Sequence, residues 1–251
     1  MVKNPESIVP IKEIQSFFES PVVLAFNRGT KSVEQKTTAL GVEINSNQEF
    51  FIKYAVNSIA RGNVNNEGTI LKLLCDFNFV PKLQLHVNET NYTFIKTTVL
   101  KGVRLNSYPL NQKMIRILLL LSNQNIQFAK SNDQDIQYCF SHGDFCPWNM
   151  MDIEGTIQVY DWETAGSYPV GYDLFTYIFQ TSFLLTPKVS VNKLIEKEKQ
   201  LILYYFNTKG IEDWKEYLIQ FSKIKLQKEI EKNNQRLIKH YLALNNYVEK
   251  T

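Results

Sequence analysis

Apolar positions along the chain follow two different periods. Near the start, Ile11, Ile14, Phe17 and Phe18 recur at helical spacing, which predicts a short amphipathic helix that Pro21 ends. PVVLAF then reads as a strand, followed by the turn-like cluster Asn27-Arg28-Gly29-Thr30. Residues 33–45 read as a second strand, Asn45-Ser46-Asn47 as a turn, and EFFIKYAV as a third strand. Sequential strands with short turns suggest an antiparallel meander. A polar stretch, RGNVNN, leads into a helix that Glu67 opens, with Ile70, Leu71, Leu73, Leu74 and Phe77 on its apolar face. Beyond Pro81, residues 83–87 and 92–100 read as two further strands.

After Gly102 the helical period takes over. Residues 111–130 carry a stripe of Met114, Ile117, Leu118, Leu121 and Ile126. The tail from about Val191 is helical, with Leu194, Ile195, Leu201, Ile202 and Tyr205 inward. The pattern predicts an α+β chain: a sheet-rich lobe over residues 1–100 and a mainly helical lobe over 101–251, parting near Leu100–Leu105.

Composition narrows this picture. A net charge of +3 is too small to argue for nucleic acid, and no nucleic-acid recognition motif is present. Cys75, Cys139 and Cys146 form an odd set without metal-type spacing, which fits free thiols in a reducing compartment. The longest apolar runs, near 115–121 and 175–185, fall short of the ~20 residues a membrane helix needs. The first residues lack an apolar signal core, so a cytoplasmic protein is expected. Oligomeric state is not readable. The stretch from about Lys188 is basic; a solvated helix surface or contact with an anionic substrate or membrane explains it.

The chemistry concentrates in His142-Gly143-Asp144-Phe145-Cys146-Pro147-Trp148-Asn149, followed about a dozen residues later by Asp161-Trp162-Glu163. The intervening IEGTIQVYD reads as a turn and a strand, so a hairpin can return Asp161 toward Asp144 and Asn149. Phosphoryl transfer from ATP needs such a cluster. Mg²⁺ neutralises the transferred group and prefers hard oxygen ligands, which suits Asp161 and Asn149. A separate carboxylate must orient the acceptor hydroxyl and take its proton, which suits Asp144.

HGDFCPWN followed by YDWE resembles the catalytic and metal-binding motifs of the aminoglycoside phosphotransferase/choline kinase-like family, roughly HGD-x-x-x-x-N and then D-[FW]-[ED]. The resemblance covers about residues 22–175 and implies the two-lobed protein-kinase-like fold. It implies ATP as co-substrate, Mg²⁺ as cofactor and a small hydroxylated acceptor as partner. Lys53 takes the place of the strand lysine that meets the α- and β-phosphates, and Glu67 that of its helix partner. Asn27 and Gly29 fall in the loop that would cover the phosphates, although this loop has one glycine where a glycine-rich string is usual. Thr98 and Leu100 fall in the linker that would hold the base. His142 and Asp173, the latter in Tyr172-Asp173-Leu174, would brace the catalytic loop. Cys146 reads as a neutral packed thiol.

Only about a dozen residues separate Asp161 from Asp173, which leaves little room for a peptide-docking activation segment. The acceptor is therefore expected to be a sugar, an amino alcohol such as choline, or an aminoglycoside. The basic tail favours a sugar or glycan precursor, including an anionic one. A catalytically inactive pseudokinase, serving as a nucleotide-binding or regulatory module, is the competing reading. None of Lys53, Asp144, Asn149 or Asp161 is missing, which argues against it.

Overall fold

The computed structural model describes residues 11–29, 31–105, 109–124, 126 and 136–250. Its residues cluster into two compact units: Met1–Lys101 with Tyr160–Thr164, and Gly102–Val159 with Ala165–Thr251.

The first unit begins with α1 (Ile11–Gln15), β1 (Val22–Arg28), β2 (Thr37–Glu43) and β3 (Glu49–Ala55). It continues with α2 (Ser58–Leu73), β4 (Leu83–Asn88) and β5 (Thr93–Thr97). Its antiparallel sheet runs β1-β2-β3-β5-β4. Side chains alternate across a strand, and β3 uses both faces. Phe50, Ile52 and Tyr54 pack with Ile14 of α1 and Phe94 of β5. Ala55 packs instead with Ala60 and Val64 of α2, the face to which Lys53 also belongs. Gly68 permits this close approach, because a Cβ there would stand 2.8 Å from the His86 ring.

Several boundaries in this unit differ from the sequence pattern, among them the end of α2 at Leu73, which leaves Leu74 and Phe77 beyond it. Asn27 and Arg28 lie inside β1, paired with Thr38 and Thr37, so the loop begins only at Gly29. Thr30 lies outside the described residues. Residues 33–36 are not strand, and β2 starts at Thr37. β5 stops at Thr97, ahead of Thr98 and Leu100. The largest difference is α2, which starts at Ser58 and absorbs the polar RGNVNN stretch, so Glu67 lies deep in the helix and does not open it. Tertiary partners outweigh the weak helix propensity of asparagine and glycine. Asn65 Oδ1 meets His86 Nε2 at 3.1 Å, and Asn66 Nδ2 donates to the Glu163 carbonyl at 3.0 Å.

The second unit begins with β6 (Val103–Arg104), α3 (Gln112–Ser122) and β7 (Tyr138–Ser141). A 3₁₀ turn at Pro147–Asn149 leads into β8 (Met150–Ile153) and β9 (Thr156–Val159), and β10 (Gly166–Pro169) follows later. Asn111 caps α3 by accepting from the Lys113 and Met114 amides. The helix ends at Ser122, short of the helix expected over residues 111–130; Ile126 lies beyond it, and residues 125 and 127–130 lie outside the described residues. Glu154 and Gly155, both at positive φ, close the two-residue β8–β9 hairpin.

The helical part follows. α4 (Tyr172–Phe175), a π-helical stretch (Thr176–Gln180) and α5 (Thr181–Leu185) run on from one another. Then come α6 (Val191–Thr208), α7 (Trp214–Glu231) and α8 (Gln235–Val248). An aromatic core joins them, with Phe175 centred 5.6 Å from both Phe206 and Phe221. Gly171 has a φ of 84°, and a Cβ there would stand 2.4 Å from Phe206. No described helix is long and apolar enough to cross a membrane.

Candidate active site

In the first unit, alternation on β3 sends Lys53 toward α2. Its Nζ donates to Glu67 Oε2 at 2.5 Å and to Asp161 Oδ1 at 2.5 Å. Burial alone would push the ammonium down; Glu67 and Asp161 together outweigh it and hold Lys53 above its ordinary value. Burial pushes the Glu67 carboxyl up, countered by Lys53. Asp161 has a φ of 69°, a left-handed conformation that aspartate tolerates better than most residues. Lys36 ion-pairs with Glu163 and lies 3.9 Å from Asp161 Oδ1. Carboxylate oxygens of Glu67, Asp161 and Glu163 lie within 4.8 Å of one another. An all-oxygen donor set is what a hard divalent cation prefers, and here Lys53 and Lys36 ion-pair with these carboxylates.

In the second unit the loop from His142 to Asn149 is fastened from behind. The buried Asp173 carboxylate accepts from the His142 amide at 2.6 Å and from the Gly143 amide at 2.9 Å. Gly143 has a φ of 85°, which suits the glycine of the His-Gly-Asp run. His142 Nδ1 accepts from the Asp144 amide at 3.2 Å. Asn149 Nδ2 donates to the Asp144 carbonyl at 2.9 Å and to Asp144 Oδ2 at 2.8 Å. Both bonds use the amide nitrogen, which leaves the amide oxygen as the atom able to meet a cation.

The other Asp144 oxygen is held by a residue that lies outside every motif of the sequence. Gln180 Nε2 donates to Asp144 Oδ1 at 2.6 Å, while Gln180 Oε1 accepts from Lys225 Nζ at 2.8 Å. An ammonium only donates, so Lys225 fixes which end of the amide faces Asp144. Lys225 is buried on α7, 5.0 Å from the centre of the Tyr172 ring. Burial pushes its ammonium down, opposed first by Asp144. Cys146 is buried beside Asp144, and burial pushes its thiol well up, so the thiol stays neutral.

The remaining predicted residues stand apart from these networks. Asn27 and Gly29 are exposed. Thr98 is tied to Lys82, donating its amide to the Lys82 carbonyl and accepting the Lys82 amide on its hydroxyl, both at 2.9 Å. Leu100 is half-buried. Lys36, Glu163, Gln180, Lys225 and Lys228 were not singled out from sequence. Glu163 was within reach, as the third residue of the Asp-Trp-Glu run. Lys225 follows Leu218, Phe221 and Ser222 on the buried face of α7, and a lysine at such an inward position is the signal that could have found it.

Residues 127–189 match the family model described as the phosphotransferase enzyme family, a stretch that includes the whole loop from His142 to Asn149. The fold is similar to that of a thermostable mutant of aminoglycoside phosphotransferase APH(4)-Ia, at 12% identity over 95% of this chain and 98% of that one, with a TM-score of 0.62. It is also similar to Plasmodium vivax ethanolamine kinase, at 12% identity over 94% and 85% of the two chains, with a TM-score of 0.55. An amicoumacin kinase in complex with AMP-PNP, Ca²⁺ and Ami aligns at 9% identity over 97% and 89%, with a TM-score of 0.60. No curated protein matches the chain in sequence. The chain thus carries the kinase-like phosphotransferase fold, and residues 127–189 match the phosphotransferase family. These similarities fit a phosphotransferase enzyme.

Proposed function

We propose that this chain is a small-molecule kinase that transfers the ATP γ-phosphate to a hydroxyl of a sugar, amino alcohol or related metabolite, with Asp144 as base. The observation that carries the reading is the placement of Asp144. Its carboxylate is oriented by two amide donors, on a loop fastened by Asp173, inside the segment that matches the phosphotransferase family. Such a carboxylate accepts the acceptor's hydroxyl proton as that oxygen bonds to the γ-phosphorus. The bond from the γ-phosphorus to the bridging oxygen breaks, and ADP leaves with that electron pair.

Lys53, anchored by Glu67, supplies positive charge to the α- and β-phosphates. Asn149 and Asp161 are the residues that would hold Mg²⁺, which supplies neutralisation of phosphate charge when bound. Glu163 adds a further oxygen beside Asp161. A reaction that consumes ATP fits a cytoplasmic protein.

Thermal unfolding tests the reading, with and without ATP and Mg²⁺, in the wild type and Asp161→Asn. A ligand at a hundred times its dissociation constant stabilises by about 2.7 kcal/mol, or several degrees. The expected outcome is a Mg²⁺-dependent shift that Asp161→Asn loses. The absence of any nucleotide shift would favour the pseudokinase reading, for which the single-glycine loop is the supporting feature.

A further inference from the structure

Lys225 and Lys228 stand on one face of α7, and neither forms an ion pair among the described residues. Lys228 Nζ donates to the Tyr168 hydroxyl at 3.1 Å and to the Tyr172 hydroxyl at 3.2 Å, and lies 4.4 Å from the Tyr168 ring centre. The neighbouring carboxylates are already engaged. Asp173 holds the His142 and Gly143 amides, Asp144 holds two side-chain amides, and Glu229 accepts from Asn234 Nδ2 at 2.8 Å. Withdrawing an ammonium from water without a counter-charge is costly, and such groups gather where function requires them. Here two of them stand beside the carboxylate that takes the acceptor's proton.

We propose that Lys228, backed by Lys225, binds an anionic oxygen group of the acceptor, so that the substrate is a hydroxylated phosphate ester or carboxylate. This rests on the kinase reading above. The geometry suits the task. Lys228 is half-buried and therefore reachable, whereas Lys225 is buried and committed to Gln180. The Tyr172 oxygen accepts from Lys228, which leaves its own proton to give to an anion. A cationic amino alcohol or aminoglycoside would instead meet two ammonium groups. Burial and the nearby Lys225 push Lys228 down to about 8, a strain that a bound anion relieves.

Calorimetric titration tests this in the wild type, Lys228→Met and Lys228→Arg. The probes are ribose 5-phosphate, gluconate, ribose and choline, each with AMP-PNP and Mg²⁺ present. At least one anion should bind the wild type about tenfold or more tighter than ribose and choline. Lys228→Met should weaken that binding by about 10- to 100-fold, the range for one charge-assisted hydrogen bond, and Lys228→Arg should recover most of it. The ribose 5-phosphate and gluconate arms separate a phosphate site from a carboxylate site. Equal binding of ribose, tighter binding of choline, no binding of either anion, or unchanged anion affinity in Lys228→Met would each overturn the proposal. AMP-PNP binding is measured first. Its absence would remove the kinase reading itself, whereas nucleotide binding with failed anion arms removes only this inference.

Discussion

Each unit contains a lysine and an aspartate that belong to one network, and the two networks are wired differently. In the first, Lys53 touches Glu67 and Asp161 directly, both at 2.5 Å. In the second, the Gln180 amide stands between Lys225 and Asp144. Direct pairing fixes a cation in place and keeps it charged, which suits a group whose task is to attract phosphates. An interposed amide orients a carboxylate without cancelling its charge, which suits a group that must accept a proton. On the proposed roles of Lys53 and Asp144, the difference separates binding from acid–base work in terms of one spacer.

The largest effect is expected for Asp144→Asn. Steady-state turnover should fall by about 10²- to 10⁴-fold, the usual range for a general base. The Mg²⁺-ATP stabilisation measured by thermal unfolding should persist. Loss of both together would place Asp144 in nucleotide binding and erase the contrast.

Lys53→Met comes next, because it leaves Glu67 buried without its cation. Removing one partner of a buried pair costs about 3–5 kcal/mol. Denaturant unfolding should show that loss, and nucleotide affinity should drop with it. A stable variant would mean that Glu67 protonates freely and that the pair does not define the first network.

A smaller effect is expected for Gln180→Leu, which leaves Lys225 without its acceptor at a cost of about 1–3 kcal/mol. Asp144 would keep its Asn149 contact but lose the second donor. The kcat should fall more than the KM for the acceptor rises. Rescue by Gln180→Asn is not expected, since the shorter amide cannot span both partners.

The smallest prediction concerns pH. Burial, with Lys225 and Lys232 beside it, pushes Lys228 down to about 8, and it also faces Asp173, Asp144, Tyr168 and Tyr172. Its charge is present below that value and is lost as pH rises through it. The KM for an anionic acceptor should therefore rise above about pH 8, with a flatter profile in Lys228→Met. A profile unchanged by the substitution would detach Lys228 from the acceptor.

Much of this arrangement was legible in the chain. Period-two alternation put Lys53 on a strand that could present it inward, and the spacing of Asp144, Asn149 and Asp161 marked two loops. Helix α2 was half-hidden, because RGNVNN has the composition of a loop. Its asparagines become helical only by finding His86 and the Glu163 carbonyl, partners distant in sequence. Asn27 read as turn because local signals do not reveal its pairing with Thr38. Gln180 and Lys225 lie 45 positions apart, and their meeting depends on how α7 packs.

The π-helical stretch at Thr176–Gln180 carries one last consequence. A π turn holds one residue more than an α turn, and each residue of an α-helix advances by about 100°. Winding the same residues at regular α pitch would swing Gln180 away from Asp144. Every side chain of the network would survive such a change, yet their convergence would not. Helix pitch is thus as heritable a part of this site as the identity of its residues.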